Sequence, residues 1–330
     1  MSELRWHPLL REWVITATER QERTFLPPPG YCPLCPQRPD GPPTEIPAPT
    51  FRIVTFQNRF PSLRPHPPPP AVPGNALHPM APALGECEVI VYTPEHTGSL
   101  TDRSVDEIEE VIWVWRDRYV ELGARPEIRY VFIFENKGEV VGVTLHHPHG
   151  QIYAFPFLPP RLERELASLA EHRAQTGRCL VCDVVADEES AGERIVVRSD
   201  RFTAAVPFFA RWPYEVHLWA RGHRASLAEL DAAEVRDLAR VLKTVLLKYD
   251  HLWGVSMPYL MVLKQLPTDG RPSEADHFRI EFYPPHRTRE KLKFTASVET
   301  GAGTFINDTL AEEKAAELRR AAPAGTEPVI

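Results

Sequence analysis

The chain has 330 residues, 43% hydrophobic and 25% charged, with a formal net charge of −7. This is the balance of a globular protein large enough for two ordinary domains, and its negative charge argues against a nucleic-acid partner while leaving phosphate-bearing small molecules open. No apolar run reaches the roughly 20 residues of a membrane span and the N-terminus lacks an apolar signal core, so a cytoplasmic protein without membrane contact is expected.

In chain order, residues 5–18 read as a strand centred on Trp13-Val14-Ile15. Arg20 and Arg23 follow. Two guanidinium groups at that spacing can clamp phosphate oxygens, although the spacing alone favours a solvated charged turn. Cys32-Pro-Leu-Cys35 lies in a proline-rich stretch, 26–83, that must be largely loop or extended chain. Four of the five cysteines form two C-x-x-C pairs, which suits metal-binding thiolates in a reducing compartment better than disulfides. A strand is expected over 51–63, and another over 86–93, leading to His96. Ser104 then caps a helix over 105–122, stopped by Gly123, with Trp113 and Trp115 in core or interface. Strand 128–135 runs into the turn Glu135-Asn136-Lys137-Gly138, and Gly142 makes a bend.

Residues 144–156 carry the strongest signal: His147, His149 and Gln151 alternate along an extended segment, which would send all three side chains to one face and Ile152 to the other. A polar row of this kind can be a solvated strand face, but imidazoles so arranged suit metal binding and nucleophilic attack.

Past a break at Leu158-Pro-Pro160 and a helix over 161–175, the pattern starts again. Cys179-Leu-Val-Cys182 repeats the first pair, Asp200-Arg-Phe202 repeats Asn58-Arg-Phe60, and Glu215-Val-His217 repeats Glu88-Val-Ile90. A second long helix, 228–251, opens on the capping box Ser226-Leu-Ala-Glu229. Strand 258–265 follows, and His277-Phe-Arg279 stands where His147-Pro-His149 stood. His96 and His147 are 51 residues apart, His223 and His277 54. This is an internal duplication. The fold class is therefore α+β: two homologous units, 1–160 and 161–330, each an antiparallel sheet crossed by one long helix. The tail carries a strand over 291–298, a Gly-rich turn and a helix from Leu310.

Cys32, Cys35, His96 and His147 form a donor set for tetrahedral zinc with no position left for water, hence a structural site. That leaves His149 as the nucleophile, with Gly150 letting a phosphate approach the backbone and Gln151 donating to a non-bridging oxygen. Because Gln cannot supply a proton, the leaving group should itself be a phosphate, as in a transferase and unlike a hydrolase. The second set, Cys179, Cys182, His223 and His277, either binds a second zinc or stays unmetallated, in a unit silenced by Arg279.

His147-Pro-His149-Gly-Gln151 within a duplicated unit resembles the galactose-1-phosphate uridylyltransferase branch of the histidine triad superfamily, and the resemblance spans nearly the whole chain. Phe134-Glu-Asn136-Lys-Gly138 is similar to its nucleotide-binding turn and Phe56-Gln-Asn58-Arg-Phe60 to its ribose-binding segment. Val14–Arg23 resembles its phosphate-holding strand and arginine pair, which reverses the bland reading of Arg20 and Arg23. Pro213-Tyr-Glu-Val, the Lys248-Tyr-Asp turn and Phe282-Tyr-Pro-Pro285 also match. The resemblance implies uridylyl transfer between UDP-glucose and galactose 1-phosphate through a uridylyl-His149 intermediate, with Gly142 and Thr144 assisting. It also implies zinc at the first set, and a homodimer in which Lys293, Phe294 and Glu299 reach the neighbouring subunit's site. Some members hold iron with a glutamate and three histidines. Here Glu165 matches the glutamate, but Lys264, Arg279 and Glu281 fill the histidine positions, so no iron and instead a salt-bridge cluster are expected. Segment 299–309 differs from the best-known members, which leaves sugar preference open. A nucleotidyltransferase or phosphorylase acting on another sugar nucleotide, such as ADP-glucose, is the alternative enzyme. A zinc-stabilised nucleotide-binding module is the alternative of another class.

Overall fold

The computed structural model describes residues 2–22, 27–28 and 30–321. The expected single strand over 5–18 is a hairpin of β1 (Ser2–His7) and β2 (Glu12–Ala17). Arg11, at φ 57°, lies in the turn, and Trp6 pairs across from Trp13 with ring centroids 5.2 Å apart. That aromatic pair supplies the cross-strand contact that one long strand would lack. After β3 (Val54–Gln57), the short β4 (Met80–Pro82) joins β1 on its other edge. Then come β5 (Glu86–Val91), α1 (Val105–Gly123), β6 (Tyr130–Lys137), β7 (His149–Phe155), α2 (Pro160–Thr176) and α3 (Leu180–Ala191). The second half continues with β8 (Ile195–Arg198), β9 (Phe202–Ala205), β10 (Val216–Ala220), α4 (Ala232–Leu252), β11 (Tyr259–Lys264) and β12 (Arg279–Tyr283). A small hairpin of β13 (His286–Thr288) and β14 (Lys291–Leu292) precedes α5 (Ala311–Arg320).

The main sheet has nine strands in the order β3-β5-β7-β6-β11-β12-β10-β9-β8, each antiparallel to its neighbours. Outward from the β6–β11 seam, β6, β7, β5 and β3 correspond to β11, β12, β10 and β9. The duplicated α+β fold expected from the sequence is present. The two sheets are one, joined edge to edge from Tyr259↔Lys137 to Val262↔Phe134. Pairing the two inner edges removes an exposed strand edge from each copy.

Alternate residues of the strands face two layers. On one side Ile90, Ile152, Ala204 and Leu218 pack with the buried stripes of α1 (Ile108, Val111, Trp115) and α4 (Leu238, Leu242, Leu246). Trp115 is in this core, and Trp113 packs on it half-buried. On the other side, Ala205 and Trp219 lie beneath α2 and α3, and Val89 and Val91 lie beneath the proline-rich segment through Leu34 and Ile46. The covering layer of each half thus carries its own C-x-x-C pair.

Several local expectations are corrected. α1 has the expected capping box, Ser104 accepting from the Glu107 amide and Glu107 from the Ser104 amide. Gly123, however, is its last helical residue, and the space it leaves is taken by Thr268, 2.5 Å from where a Cβ would be. α4 is capped by Asp231 with Glu234, not by Ser226, because Glu229 is drawn to the Ala225 amide. Lys248 is not in a turn but buried inside α4, where its ammonium donates to the Leu318 and Arg319 carbonyls at the C-terminus of α5. Only 291–292 of the tail's 291–298 is strand, and 298–302 coils into a π turn. Cys182 lies inside α3 with Cys179 at its N-cap, so the second C-x-x-C opens a helix where a knuckle was expected.

Candidate active site

β7 sets the site. From its first residue, side chains at 149, 151 and 153 face one way, while Ile152 and Ala154 enter the core. His149 and Gln151 share this face as expected, but His147 precedes the strand and its ring is turned to the cysteines. The His149 Nδ1–H donates to the His147 carbonyl at 2.8 Å. That assignment puts the lone pair on Nε2.

Two adjoining cavities meet at Thr144, His149 and Gln151. The larger, about 420 Å³, is walled by Leu34, Phe56, Phe60, Val89 and Leu145, with Asn58 at its side. The smaller, about 220 Å³, is lined by Arg20, Asn136, Gly142 and Tyr153. One chamber is mainly apolar and the other polar, as an aromatic base and a phosphate chain require. Gly142 turns at φ 86° at the rim of the polar chamber. The Asn58 amide donates to Gln151 Oε1 at 3.5 Å and its own carbonyl oxygen accepts from the Phe60 amide. Arg20 Nη1 donates to the Phe60 carbonyl, Ser62 Oγ and Tyr153 Oη at 3.3–3.4 Å, which aims its guanidinium at the polar chamber. Arg23 lies outside the described residues. A wider surface hollow of about 630 Å³ is lined by Arg198, Arg221 and Arg240 with Asp200 and Asp237; its Ser199 is hydrogen-bonded to Asp237, and no histidine is in its lining. His149 is the imidazole at the junction of the two chambers.

Gly150 has a different reason from the one expected. A Cβ there would lie 2.1 Å from Tyr92 Oη and 3.1 Å from the Phe134 carbonyl, on the core side of the sheet. The hydroxyl packed behind the strand excludes a side chain, whatever approaches from the front. Tyr153 was not singled out from sequence, although the two-residue alternation through His149 and Gln151 leads directly to it.

Both Cys/His sets assemble. In each, one donor atom per residue lies within 4.8 Å of all the others. Cys32 and Cys35 Sγ are 3.8 and 3.6 Å from His147 Nδ1, and Cys35 Sγ is 3.5 Å from His96 Nδ1. In the second set, Cys179 and Cys182 Sγ are 3.7 and 3.4 Å from His277 Nδ1, and Cys182 Sγ is 3.6 Å from His223 Nδ1. A tetrahedron with Zn–S near 2.3 Å and Zn–N near 2.0 Å has edges of about 3.3–3.8 Å, with its S–N edges near 3.5 Å. His147 and His277 each donate Nε2–H to a backbone carbonyl, Thr93 and Ala220, leaving Nδ1 for a metal. Burial pushes the Cys32 thiol up to about 11 and holds the His147 imidazole neutral, so a thiolate here at neutral pH calls for a bound cation.

At the corresponding place in the second unit only about 10 Å³ is left among Glu165, Lys264 and Arg279. α2 crosses it, and Glu165 pairs with Lys264 at 3.0 Å and Arg279 at 2.7 Å, while Arg279 pairs with Glu281 at 2.7 Å. Burial alone would raise the Glu281 carboxyl, but His217, Arg279 and Lys264 outweigh it and hold it below the usual range. Two cations among these carboxylates do not fit an iron site. Arg279→Met should cost about 3 kcal/mol, read from urea unfolding, because it takes the nearest cation from the buried Glu281 and one of the cations from Glu165. Lys293, Phe294 and Glu299 do not line the cleft of their own chain. Lys293 is buried, donating to Glu299 and the Ile306 carbonyl, and Phe294 is 73% exposed.

Residues 1–159 match the family model for the galactose-1-phosphate uridyl transferase N-terminal domain, and residues 165–325 that for its C-terminal domain. The chain belongs to the galactose-1-phosphate uridylyltransferase family. It is accordingly a nucleotidyltransferase. The galactose-1-phosphate uridylyltransferase of Thermotoga maritima is 41% identical over 320 residues, covering 97% of this chain and 98% of that protein. The Haemophilus influenzae family member is 35% identical, covering 96% and 93%. A solved uridylyltransferase structure superposes with a TM-score of 0.86 at 35% identity over 97% and 98% of the two chains. An Arabidopsis thaliana ADP-glucose phosphorylase shares the fold, TM-score 0.72 at 22% identity over 98% and 99%.

Proposed function

We propose that this protein exchanges a uridylyl group between UDP-glucose and galactose 1-phosphate through a covalent bond to His149. The observation that carries this is the His149 tautomer: with Nδ1–H held by the His147 carbonyl, Nε2 carries the lone pair where the apolar and polar chambers meet. The Nε2 lone pair forms an N–P bond to the α-phosphorus of UDP-glucose as the bond to the β-phosphate oxygen breaks, releasing glucose 1-phosphate. A phosphate oxygen of galactose 1-phosphate then attacks the same phosphorus and His149 leaves. Neither leaving group needs a proton, which suits Gln151, a donor that keeps its hydrogens. Arg20, Arg23 and Gln151 offset charge on the phosphoryl oxygens, Asn58 holds the ribose, and Asn136, Gly142 and Thr144 position the phosphates.

Residues 1–160 form the working unit on this reading, and 161–330 a silent one. Zinc at Cys32, Cys35, His96 and His147 fixes the covering segment to the strand that carries His149, and a second zinc sits at Cys179, Cys182, His223 and His277; both are structural. Lys293, Phe294 and Glu299 serve the site of a partner copy in a homodimer, which accounts for an exposed phenylalanine beside a buried Lys–Glu pair away from their own cleft. Among the described residues no helix is long and apolar enough to cross a membrane and all five cysteines are free, in keeping with a cytoplasmic setting.

Incubation with UDP-glucose or ADP-glucose, followed by mass measurement of the intact chain, tests the reading. The expected result is an acid-labile uridylyl adduct on His149 from UDP-glucose. An adduct from ADP-glucose alone would move the protein to adenylyl chemistry, and none from either would leave a binding module.

A further inference from the structure

Behind the catalytic strand, on the core side, lies a line of polar groups that the proposed chemistry does not use. Tyr92 brackets His149: its amide donates to the Pro148 carbonyl at 3.2 Å, and its hydroxyl abuts Gly150. Tyr259 of β11 donates its hydroxyl to Glu135 Oε1 at 2.9 Å. Tyr92 Oη, Glu135 Oε2 and Trp115 Nε1 are all buried without a hydrogen-bond partner in this structure. Glu135 is 5% exposed and Tyr92 3%. Three orphaned polar atoms in one buried layer would be costly unless they answer one another, through a small rotation or a shared water. The order Tyr259, Glu135, Tyr92, Gly150 runs from β11 and β6, through the residue just past β5, to β7, and so links the silent unit to the strand that bears the nucleophile.

We propose that Tyr92 and Glu135 are positioning residues for the nucleotidyl transfer, a polar buttress that fixes β7, and with it His149 and Gln151, against the second unit. The inference rests on His149 being the nucleophile. An ionised Glu135 can accept from both tyrosines at once, whereas a protonated one donates through its own O–H, so the Tyr92 hydroxyl must turn to accept and its hydrogen loses Glu135 as a partner. Burial pushes the Glu135 carboxyl up to about 7, against the tyrosine donors that favour its charge. The charged group nearest it is Lys137, whose ammonium lies 5.4 Å from the Tyr259 ring centroid and is paired with Asp250 of α4, while Trp115 of α1 packs edge-on against the Tyr92 ring. Displacing a catalytic strand by even 1 Å can slow chemistry by about 100-fold.

The test is a double-mutant cycle on the full-length, zinc-loaded enzyme, reading the single-turnover rate of uridylyl-enzyme formation and the KM for UDP-glucose. Gly150→Ala should slow adduct formation by about 100-fold. Adding Tyr92→Phe should restore at least about tenfold of that, because removing the hydroxyl leaves the nearest ring carbon 3.1 Å from the new methyl. Tyr92→Phe alone, which takes the hydroxyl out of the line, should slow adduct formation at unchanged KM, and a rate equal to the parent's overturns the proposal. Glu135→Gln, an isostere chosen to fold, should lower kcat with KM unchanged. It should also abolish a carboxylic-acid infrared band that disappears in the parent as pH rises through about 7. An unchanged kcat at every pH in Glu135→Gln overturns the proposal too. If the parent enzyme forms no adduct at His149, the proposed function fails instead, whatever the cycle shows.

Discussion

His149→Ala should abolish sugar-nucleotide exchange, with a loss of about 10⁴-fold or more in kcat. The size follows from the nature of the step. On the proposed route His149 is the group to which phosphorus becomes bonded, so its removal leaves no alternative through the same cleft. His147 cannot substitute, because its Nδ1 faces Cys32 and Cys35 and its Nε2–H is committed to the Thr93 carbonyl. Arg20, Asn58 and Gln151 would still bind nucleotide, so UDP-glucose affinity should change little while turnover vanishes. His149→Gly makes the sharper experiment. It leaves a hole shaped for an imidazole beside the His147 carbonyl, and added imidazole should restore part of the rate by forming a free uridylyl-imidazole. Near-normal turnover in His149→Ala, measured as exchange of labelled glucose 1-phosphate into UDP-glucose, would discard the covalent route altogether.

The site was legible where chemistry depends on local alternation and not where it depends on what packs behind. The two-residue period through His149, Gln151 and Tyr153 is a backbone property, so the face it defines could be read directly. The C-x-x-C pairs and their distant histidines were legible because the duplication repeats their spacing. The packing behind Gly150 was not legible, since its neighbour Tyr92 lies 58 residues earlier and nothing local announces it. The cap of α4 was misplaced for a related reason. Ser226-x-x-Glu229 and Asp231-x-x-Glu234 both spell a capping box, and the choice was made by Glu229 bonding the Ala225 amide. α3 went unnoticed because its C-x-x-C suggested a turn, although Gly177 and Gly192 punctuate the chain on either side of it. The seam between β6 and β11 also had no local signal. A strand pairing between two copies is a tertiary choice, and each copy alone reads as a complete sheet.

Zinc analysis of the purified chain should return two equivalents, and the two sites should fail differently. Cys32→Ser should remove one equivalent and most of the transfer activity, because the set it disrupts holds Leu34 and Ile46 over the apolar chamber's strand and anchors the residue two before His149. Structural zinc in small peptides contributes roughly 10–16 kcal/mol to folding. Here the main core lies apart from the Cys/His set, so a net loss nearer 3–5 kcal/mol is expected, about 10 °C in Tm. Cys179→Ser should remove the other equivalent and lower Tm comparably, since it frees the start of α3 from His277, yet adduct formation at His149 should survive below the new transition. That contrast separates a metal that shapes the cleft from one that only braces the silent half. One equivalent in the parent protein, retained in Cys179→Ser and lost in Cys32→Ser, would show that the second set closes without metal. Full transfer activity in a zinc-free Cys32→Ser protein would break the tie between the first set and the rigid placement of the nucleophile.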